Sequence, residues 1–317
     1  MLLTHAADYC PDVQTIAGAT FVATRQIFRV VLWMSGALLA FSAMAVSVRA
    51  LAATLTVMEI IALRAGLGLL VMAAIAATHA ELRATINRRH WGLHLFRNTV
   101  HLGAQYLWTL SLLLLPLATV FALEFTTPAW ALLLALPVLG ERMTASRIGA
   151  VVLGLLGVLV ILRPGLQTFH PAALLVLAAA LGLAISLIAT KRLTRTDSSF
   201  AIIFWMNLVQ APLALMASQP LFVLKLGAWQ IPAVVAIGGA GLISHYCLAN
   251  AFRAGDASVV VPLDFMRIPL IAVIAWWLYG EPLDVFVFLG AGLIIAGILW
   301  NLRAEAARPV SAADQPR

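Results

Sequence analysis

The sequence predicts an all-α membrane protein, with ten transmembrane helices arranged as two inverted five-helix repeats. Three observations lead there. Hydrophobic residues make up 63% of the 317 and charged ones only 10%, at a mean hydropathy of +1.00, whereas soluble domains carry roughly 45–50% apolar residues. Apolar runs of ~20 residues, the length that crosses the hydrocarbon at about 1.5 Å per residue, recur along the whole chain. The chain also matches itself when shifted by 140 residues.

The runs fall near 30–48, 55–77, 95–113, 117–138, 147–163, 172–190, 200–217, 231–251, 258–279 and 284–301. Residues 1–29 form an N-terminal cytoplasmic segment. They contain Asp8, Pro11 and Asp12 and have no basic start leading into a short apolar stretch, so no cleaved signal peptide is expected. The first repeat covers 30–163 and the second 171–303. Residues 304–317 are polar, with Ala and Pro, and are expected to be a disordered cytoplasmic tail.

Charge placement orients the chain. With the N-terminus inside, 15 of the 20 basic residues fall on the cytoplasmic face and only Arg49, Arg163 and Lys225 on the other, with Arg64 and Arg267 inside spans. The positive-inside rule then places both termini in the cytoplasm, and the net charge of +7 requires no nucleic-acid partner. The two cysteines, Cys10 and Cys247, form no disulfide framework.

The internal match superimposes "YLWTLSLLLLPLATVFALEF" on "YCLANAFRAGDASVVVPLDF". It puts Tyr106 on Tyr246, Glu124 on Asp264, Gly140 and Glu141 on Gly280 and Glu281, Gly157 on Gly297 and Arg163 on Arg303. Five spans per unit is an odd number, so the second copy must lie upside down relative to the first. Such inverted repeats characterise carriers that alternate access around a site near the bilayer midplane.

Polar residues inside the spans locate the candidate site. In the second span, Glu59 and Arg64 are five residues apart and so about 140° apart around the helix; they are not expected to pair, and Arg64 is expected to reach a carboxylate on another helix. The third span puts His94, Arg97, Asn98, His101, Gln105 and Thr109 on one face. That stripe is either the wall of a wet cavity or a set of helix-packing hydrogen bonds. In the eighth span Ser244, His245, Tyr246 and Asn250 answer it, with His245 on Gln105 under the shift.

Glu124 lies in the fourth span and Asp264 at the matching depth of the ninth, with Arg267 one helical turn further on. Charges at such depths oppose insertion by roughly 2.5–3.5 kcal/mol and mark solute or proton paths, unless they form a buried ion-pair network that fixes helix register. The candidate substrate-binding residues are therefore Arg267, Asp264, Arg64, Glu124, His101, Gln105, Tyr106, His245 and Tyr246. Arg supplies a planar fork for carboxylate or phosphate. A buried carboxylate can carry a proton, so proton coupling is one expectation. Trp108, Trp130 and Trp205 join Tyr106 and Tyr246 as candidate stacking surfaces.

Pro128, Pro262 and Pro269 are candidate hinges. Ala150, Gly154 and Gly157 in span five, and Gly292, Ala296 and Gly297 in span ten, form small-residue faces for helix contact within the chain or in a homodimer. Glu141 and Glu281 end their spans at opposite surfaces, where solvent or loop arginines would take them.

The pattern resembles the EamA-like branch of the drug/metabolite transporter superfamily over residues 30 to 303. The residues that carry the likeness are "FTTPAWALLLALPVLGERMTASRIGAVVLGLLGVLVILRPG" and "VVVPLDFMRIPLIAVIAWWLYGEPLDVFVFLGAGLIIAGILW", each with a "GE" after its fourth helix. "MEIIALRAGLGLL" and "HLFRNTVHLGAQY" resemble the second and third helices. The resemblance implies alternating-access carriage of a small organic metabolite across a bacterial inner membrane, through a cavity bordered by helices one, three, four, six, eight and nine. The ninth helix, Pro262 to Pro269, is similar to that of carriers for S-adenosylmethionine or riboflavin, and related proteins export amino acids or metal-chelating opines. The cargo read from this likeness is zwitterionic or amphiphilic.

The alternatives come from other classes. An intramembrane enzyme would need a chemical constellation, yet the sequence has no HExxH, no cysteine cluster and no Gly-rich phosphate loop. A channel or non-transporting scaffold is the third reading. Neither a cofactor nor a metal is expected.

Overall fold

A computed structural model describes residues 13–139, 144–163, 170–254, 263–264 and 266–306; the side chains of 13–27 and of several helical residues, His245 among them, are outside it. Its helices are α1 (Val13–Leu51), α2 (Val57–Thr78), α3 (Ala80–Ala84), α4 (Trp91–Leu114), α5 (Leu117–Glu124), α6 (Thr127–Leu139), α7 (Ala145–Leu162), α8 (Ala173–Leu193), α9 (Ser199–Met216), α10 (Ile231–Ala254), α11 (Arg267–Tyr279) and α12 (Val285–Ala306). No strand occurs among the described residues. Helix therefore lies in each of the ten apolar stretches, the ninth being described only from residue 263 onward. Five helical stretches, at Phe28–Leu51, Val57–Thr78, Ala173–Leu193, Ser199–Met216 and Ala228–Leu248, are long and apolar enough to cross a membrane. α4 is as long, but its polar stripe lowers its hydropathy.

Local chemistry sets several helix ends. Thr56 accepts from the Glu59 N–H while the Glu59 carboxylate accepts from the Thr56 N–H, a capping box that starts α2. The Ser198 hydroxyl accepts from the Ala201 N–H and starts α9. Gly280 adopts a left-handed φ of 64° and stops α11, where residues with a Cβ are strained; the next N–H, of Glu281, then returns to the Ala275 carbonyl. The Gly-Glu pair of the second repeat thus ends a helix and aims an acid. Its counterpart Gly140–Glu141 lies outside the described residues.

The fourth span is broken, with α5 stopping at Glu124 and α6 starting at Thr127. The ninth repeats the break: 263–264 are helical, Met266 is a turn and α11 starts at Arg267, 140 residues after Thr127. Both halves interrupt a helix just after the aligned acid. Pro128 sits in the first turn of α6, where a missing N–H costs nothing. Pro262 is outside the described residues.

Helix packing respects the duplication. The most extensive contacts join α1 to α10, α4 to α8, α7 to α12 and α2 to α9. Exchanging the halves turns α1 against α10 into α8 against α4, and maps α2–α9 and α7–α12 onto themselves. The α7–α12 pair uses the small residues read from the sequence: a Cβ on Gly157 would meet the Gly290 carbonyl at 2.5 Å, and one on Gly297 would meet Ala150 Cα at 3.1 Å.

Polar contacts gather the chain reversals into two groups. In one, Arg49 bonds the Glu281 carboxylate and the carbonyls of Leu112 and Leu115, while Glu281 accepts the Leu117 N–H at 2.8 Å. Lys225 meets Glu59 at 2.8 Å, Gln230 bonds Thr54 at 2.6 Å, and Arg163 pairs with Asp284. In the other group, Asp197 accepts from Asn87 at 3.2 Å and pairs with His94 at 2.9 Å, Ser198 bonds Thr85, and the Trp205 indole donates to the Asn87 carbonyl. The first group involves the reversals after α1, α4, α7, α9 and α11, the second those after α2 and α8.

Candidate functional site

The polar centre is built around Arg64, which is 9% exposed. One of its nitrogens, Nη2, donates to the Gln105 amide oxygen of α4 and, at 3.2 Å, to that of Gln210 of α9. Gln210 Nε2 lies 2.8 Å from His101 Nδ1 and donates to the Asn98 carbonyl. Asn98 Oδ1 in turn accepts from Arg97 at 2.6 Å, and Arg97 Nε donates to Thr190 of α8. A connected network thus links α2, α4, α8 and α9. No carboxylate of the described residues pairs with Arg64, contrary to the expectation that it reaches an acid on another helix. Its acceptors are neutral amides because α2 packs on α9 and α4, whose facing residues are Gln210 and Gln105.

Two voids meet at Arg64. One, about 10 Å³, is lined by Arg64, Gln105, Thr109, Trp108, Met44 and Ile237 among others; the second, about 20 Å³, by Arg64, Gly68, Asn207, Gly238, Gly241 and Met206 among others. As space for the centre of a water, each is roughly the size of one molecule.

Arg267, Asp264 and Glu124 form a second cluster. Arg267 Nη2 bonds Asp264 at 2.9 Å, Nη1 lies 3.6 Å from Glu124, and the guanidinium carbon sits 4.4, 5.6 and 4.9 Å from the ring centroids of Phe41, Phe121 and Phe125. The Trp108 indole donates to the other Glu124 oxygen at 2.8 Å. Arg267, a candidate substrate-binding residue from the sequence, lies in a sleeve of aromatic rings and acids, and the voids described above do not touch it. The space is at Arg64. The two clusters adjoin through Trp108, which lines the first void and bonds Glu124.

The other candidates divide. Gln105 and His101 join the Arg64 network, and Tyr106 is half-buried against the apolar core. Tyr246 is 62% exposed and makes an edge contact with Trp33 at 5.8 Å, so it points away from the polar centre. The His245 side chain is outside the described residues. His94, on one stripe with Gln105 in the sequence, pairs with Asp197 at the end of the bundle and stacks on Trp205 at 5.5 Å. Trp205 is thereby occupied away from the voids. Sequence reasoning missed Gln210 and Asn207; the signal for both was an amide three residues from another amide in an otherwise apolar span.

Asp197 lies in the connection between α8 and α9. Burial pushes its carboxyl upward, but the bonds from His94 and Asn87 outweigh this and hold it below its ordinary value.

Taken together, the fold and its centre define a polytopic membrane protein of duplicated design, with an ionic and amide heart between its halves. Comparison with known proteins narrows the class. The EamA-like transporter family matches residues 28–163 and again 170–303, and the chain belongs to that family, within the drug/metabolite transporter superfamily. Among curated relatives, an S-adenosylmethionine uptake transporter of Rickettsia prowazekii is 24% identical over 67% of this chain and 72% of its own. A riboflavin transporter of Rhizobium johnstonii is 31% identical over 63% and 67%, and the pseudopaline exporter CntI of Pseudomonas aeruginosa 25% over 84% and 95%. A solved crystal structure shares the fold at TM-score 0.58 and 19% identity, over 89% of this chain and 98% of that one.

Proposed function

We propose that this transporter is a secondary carrier that moves a small, amphiphilic or zwitterionic organic metabolite by alternating access. In this reading its ten spans form two inverted five-helix halves in the bacterial inner membrane, with both termini cytoplasmic. The observation that carries it is the position of Arg64: a buried guanidinium with voids beside it, on the α2–α9 pair that maps onto itself when the halves are exchanged. A site on such an axis can be approached by either half in turn.

Arg64, Gln105, Gln210 and His101 would hold the polar part of the cargo. The Arg267 cluster, two acids against one cation, would sense the movement of α11 against α5 and pass a proton where transport is coupled to one. The Arg49–Glu281 clamp would close the external side. The relatives' names support cargo of the flavin, S-adenosylmethionine or amino-acid-derived kind. Gly157 and Gly297 are spent on the contact between α7 and α12, while Gly292 has nothing within 4 Å, so a homodimer would use that part of α12.

Untargeted profiling of cells and medium, with the chain deleted or overproduced, tests the reading. One compound should move in opposite directions in the two strains, and its side of accumulation gives uptake or export. Unchanged profiles in both strains would overturn it.

A further inference from the structure

The connection between α9 and α10 faces two ways. Its inner side is tied to the start of α2: Lys225 pairs with the fully buried Glu59 at 2.8 Å, Gln230 donates to Thr54 at 2.6 Å, and Phe222 is buried in the core. Its outer side is apolar and bare. Leu221, Leu224 and Trp229 are 75, 79 and 67% exposed, with Val223 beside them, and Met216 and Ile231 carry the same surface onto the ends of α9 and α10. Both helices belong to stretches long and apolar enough to cross a membrane, so this surface continues a lipid-facing one.

Two details decide between water and lipid on that side. Leu221 holds a left-handed φ of 57°, a conformation that strains any residue with a Cβ and that an aqueous turn gives to Gly or Asn. The strain aims a leucine away from the protein, and leaving water is what would offset it. The backbone is also turned in on itself. The N–H groups of Phe222, Leu224, Leu226 and Gln230 bond carbonyls three residues back, and that of Gly227 bonds the Gln230 side chain at 3.0 Å. These donors need no water, as a position at the edge of the hydrocarbon requires. Trp229, with an apolar ring and one N–H, is the residue type enriched at that level.

We propose that residues 221–229 form an interfacial anchor, with Leu221, Leu224 and Trp229 seated at the boundary of headgroups and acyl chains in the phospholipid leaflet at the Arg49–Glu281 end. Through Lys225–Glu59 and Gln230–Thr54 the anchor holds the start of α2, the helix that carries Arg64, at the depth of that boundary. The partner is the bilayer surface itself. The inference needs only a membrane-spanning chain, so it stands or falls separately from carriage.

The test is nitroxide accessibility in phospholipid nanodiscs, whose two faces are both open to reagent. With Cys10 and Cys247 replaced, labels are placed at Leu221→Cys, Leu224→Cys and Trp229→Cys, exposed positions where a label displaces no packing. Arg88→Cys, exposed in the reversal before α4, is the aqueous reference, and Val235→Cys, exposed one turn further into α10, is the hydrocarbon reference. The three anchor labels should collide with a water-soluble nickel chelate several-fold less than the label at Arg88→Cys. They should also respond more strongly than the label at Val235→Cys to a nickel chelate carried on lipid headgroups. Collision with the soluble chelate equal to that at Arg88→Cys would put the segment in water and overturn the anchor, as would a response to the headgroup chelate no stronger than at Val235→Cys. Protection from both the soluble chelate and oxygen, with dipolar broadening between labels, would mean that a second copy covers the surface, and overturns it equally.

Discussion

Replacing Arg267 by Met should destabilise the fold, and the loss should come mostly from what is left behind. The side chain lies 2.9 Å from Asp264, 3.6 Å from Glu124 and within 4.4–5.6 Å of three phenylalanine rings. Removing one partner of a buried ion pair typically costs about 3–5 kcal/mol, because the remaining charge has nothing to meet. Each ring contributes from roughly 0.5 to 2 kcal/mol to a desolvated cation, and methionine keeps part of that contact. About 3–5 kcal/mol is therefore expected for Arg267→Met alone. Adding Glu124→Gln and Asp264→Asn removes the stranded acids while the Trp108 indole keeps an amide oxygen to bond. The triple variant should recover more than half of the loss. Unfolding in mixed micelles, followed by circular dichroism, measures both. A single variant within about 1 kcal/mol of wild type, or a triple variant no better than the single one, would refute the view of this cluster as an ionic joint between α5 and α11.

Further outcomes are expected. Gly157→Ala puts a Cβ 2.5 Å from the Gly290 carbonyl and 2.6 Å from Ile294 Cγ1, so α7 and α12 must part at roughly 1–3 kcal/mol; Gly292→Ala, with nothing within 4 Å, is the neutral control in the same melts. Because Asp197 has a depressed pKa, its contribution to stability is complete above its ordinary value near 3.8 and is lost as pH falls through the lower folded value. Asp197→Asn should flatten that acid limb and lower stability at neutral pH by about 1.5–3 kcal/mol, the range for a hydrogen bond to a charged group. Glu281→Gln loosens the hold on Arg49 and the Leu117 N–H; with Cys10 and Cys247 replaced, a reporter at Leu117→Cys should react with an external thiol reagent several-fold faster, and an unchanged rate would argue against a clamp there.

Much of the architecture was legible because it rests on short-range rules. Apolar run length marked the helices, and the 140-residue match predicted that Glu124 and Asp264 occupy equivalent places, which the two helix breaks at Thr127 and Arg267 now express in the backbone. The Arg267–Asp264 bond follows from i, i+3 spacing. The Arg64 network was only half readable: Gln105 and His101 belonged to a visible stripe, but Gln210 comes from more than a hundred residues away, and only packing of α9 on α2 and α4 brings it in. The expectation of an acid beside Arg64 assumed that buried charge is compensated by another charge of the chain, whereas its acceptors are two neutral amides. Arg49, read only as a basic residue of the external face, and Asp197, which no sequence signal singled out, are the knots at the two ends of the bundle.

The central claim, a carrier whose site is offered to one side at a time, is tested most directly by counterflow. The purified chain is reconstituted into liposomes preloaded with the compound that profiling identifies, and labelled compound is added outside. The account predicts that the internal load speeds entry of label, that the rate saturates with external concentration, and that Arg64→Gln abolishes both effects. Entry that rises linearly with concentration and ignores the internal load would contradict it.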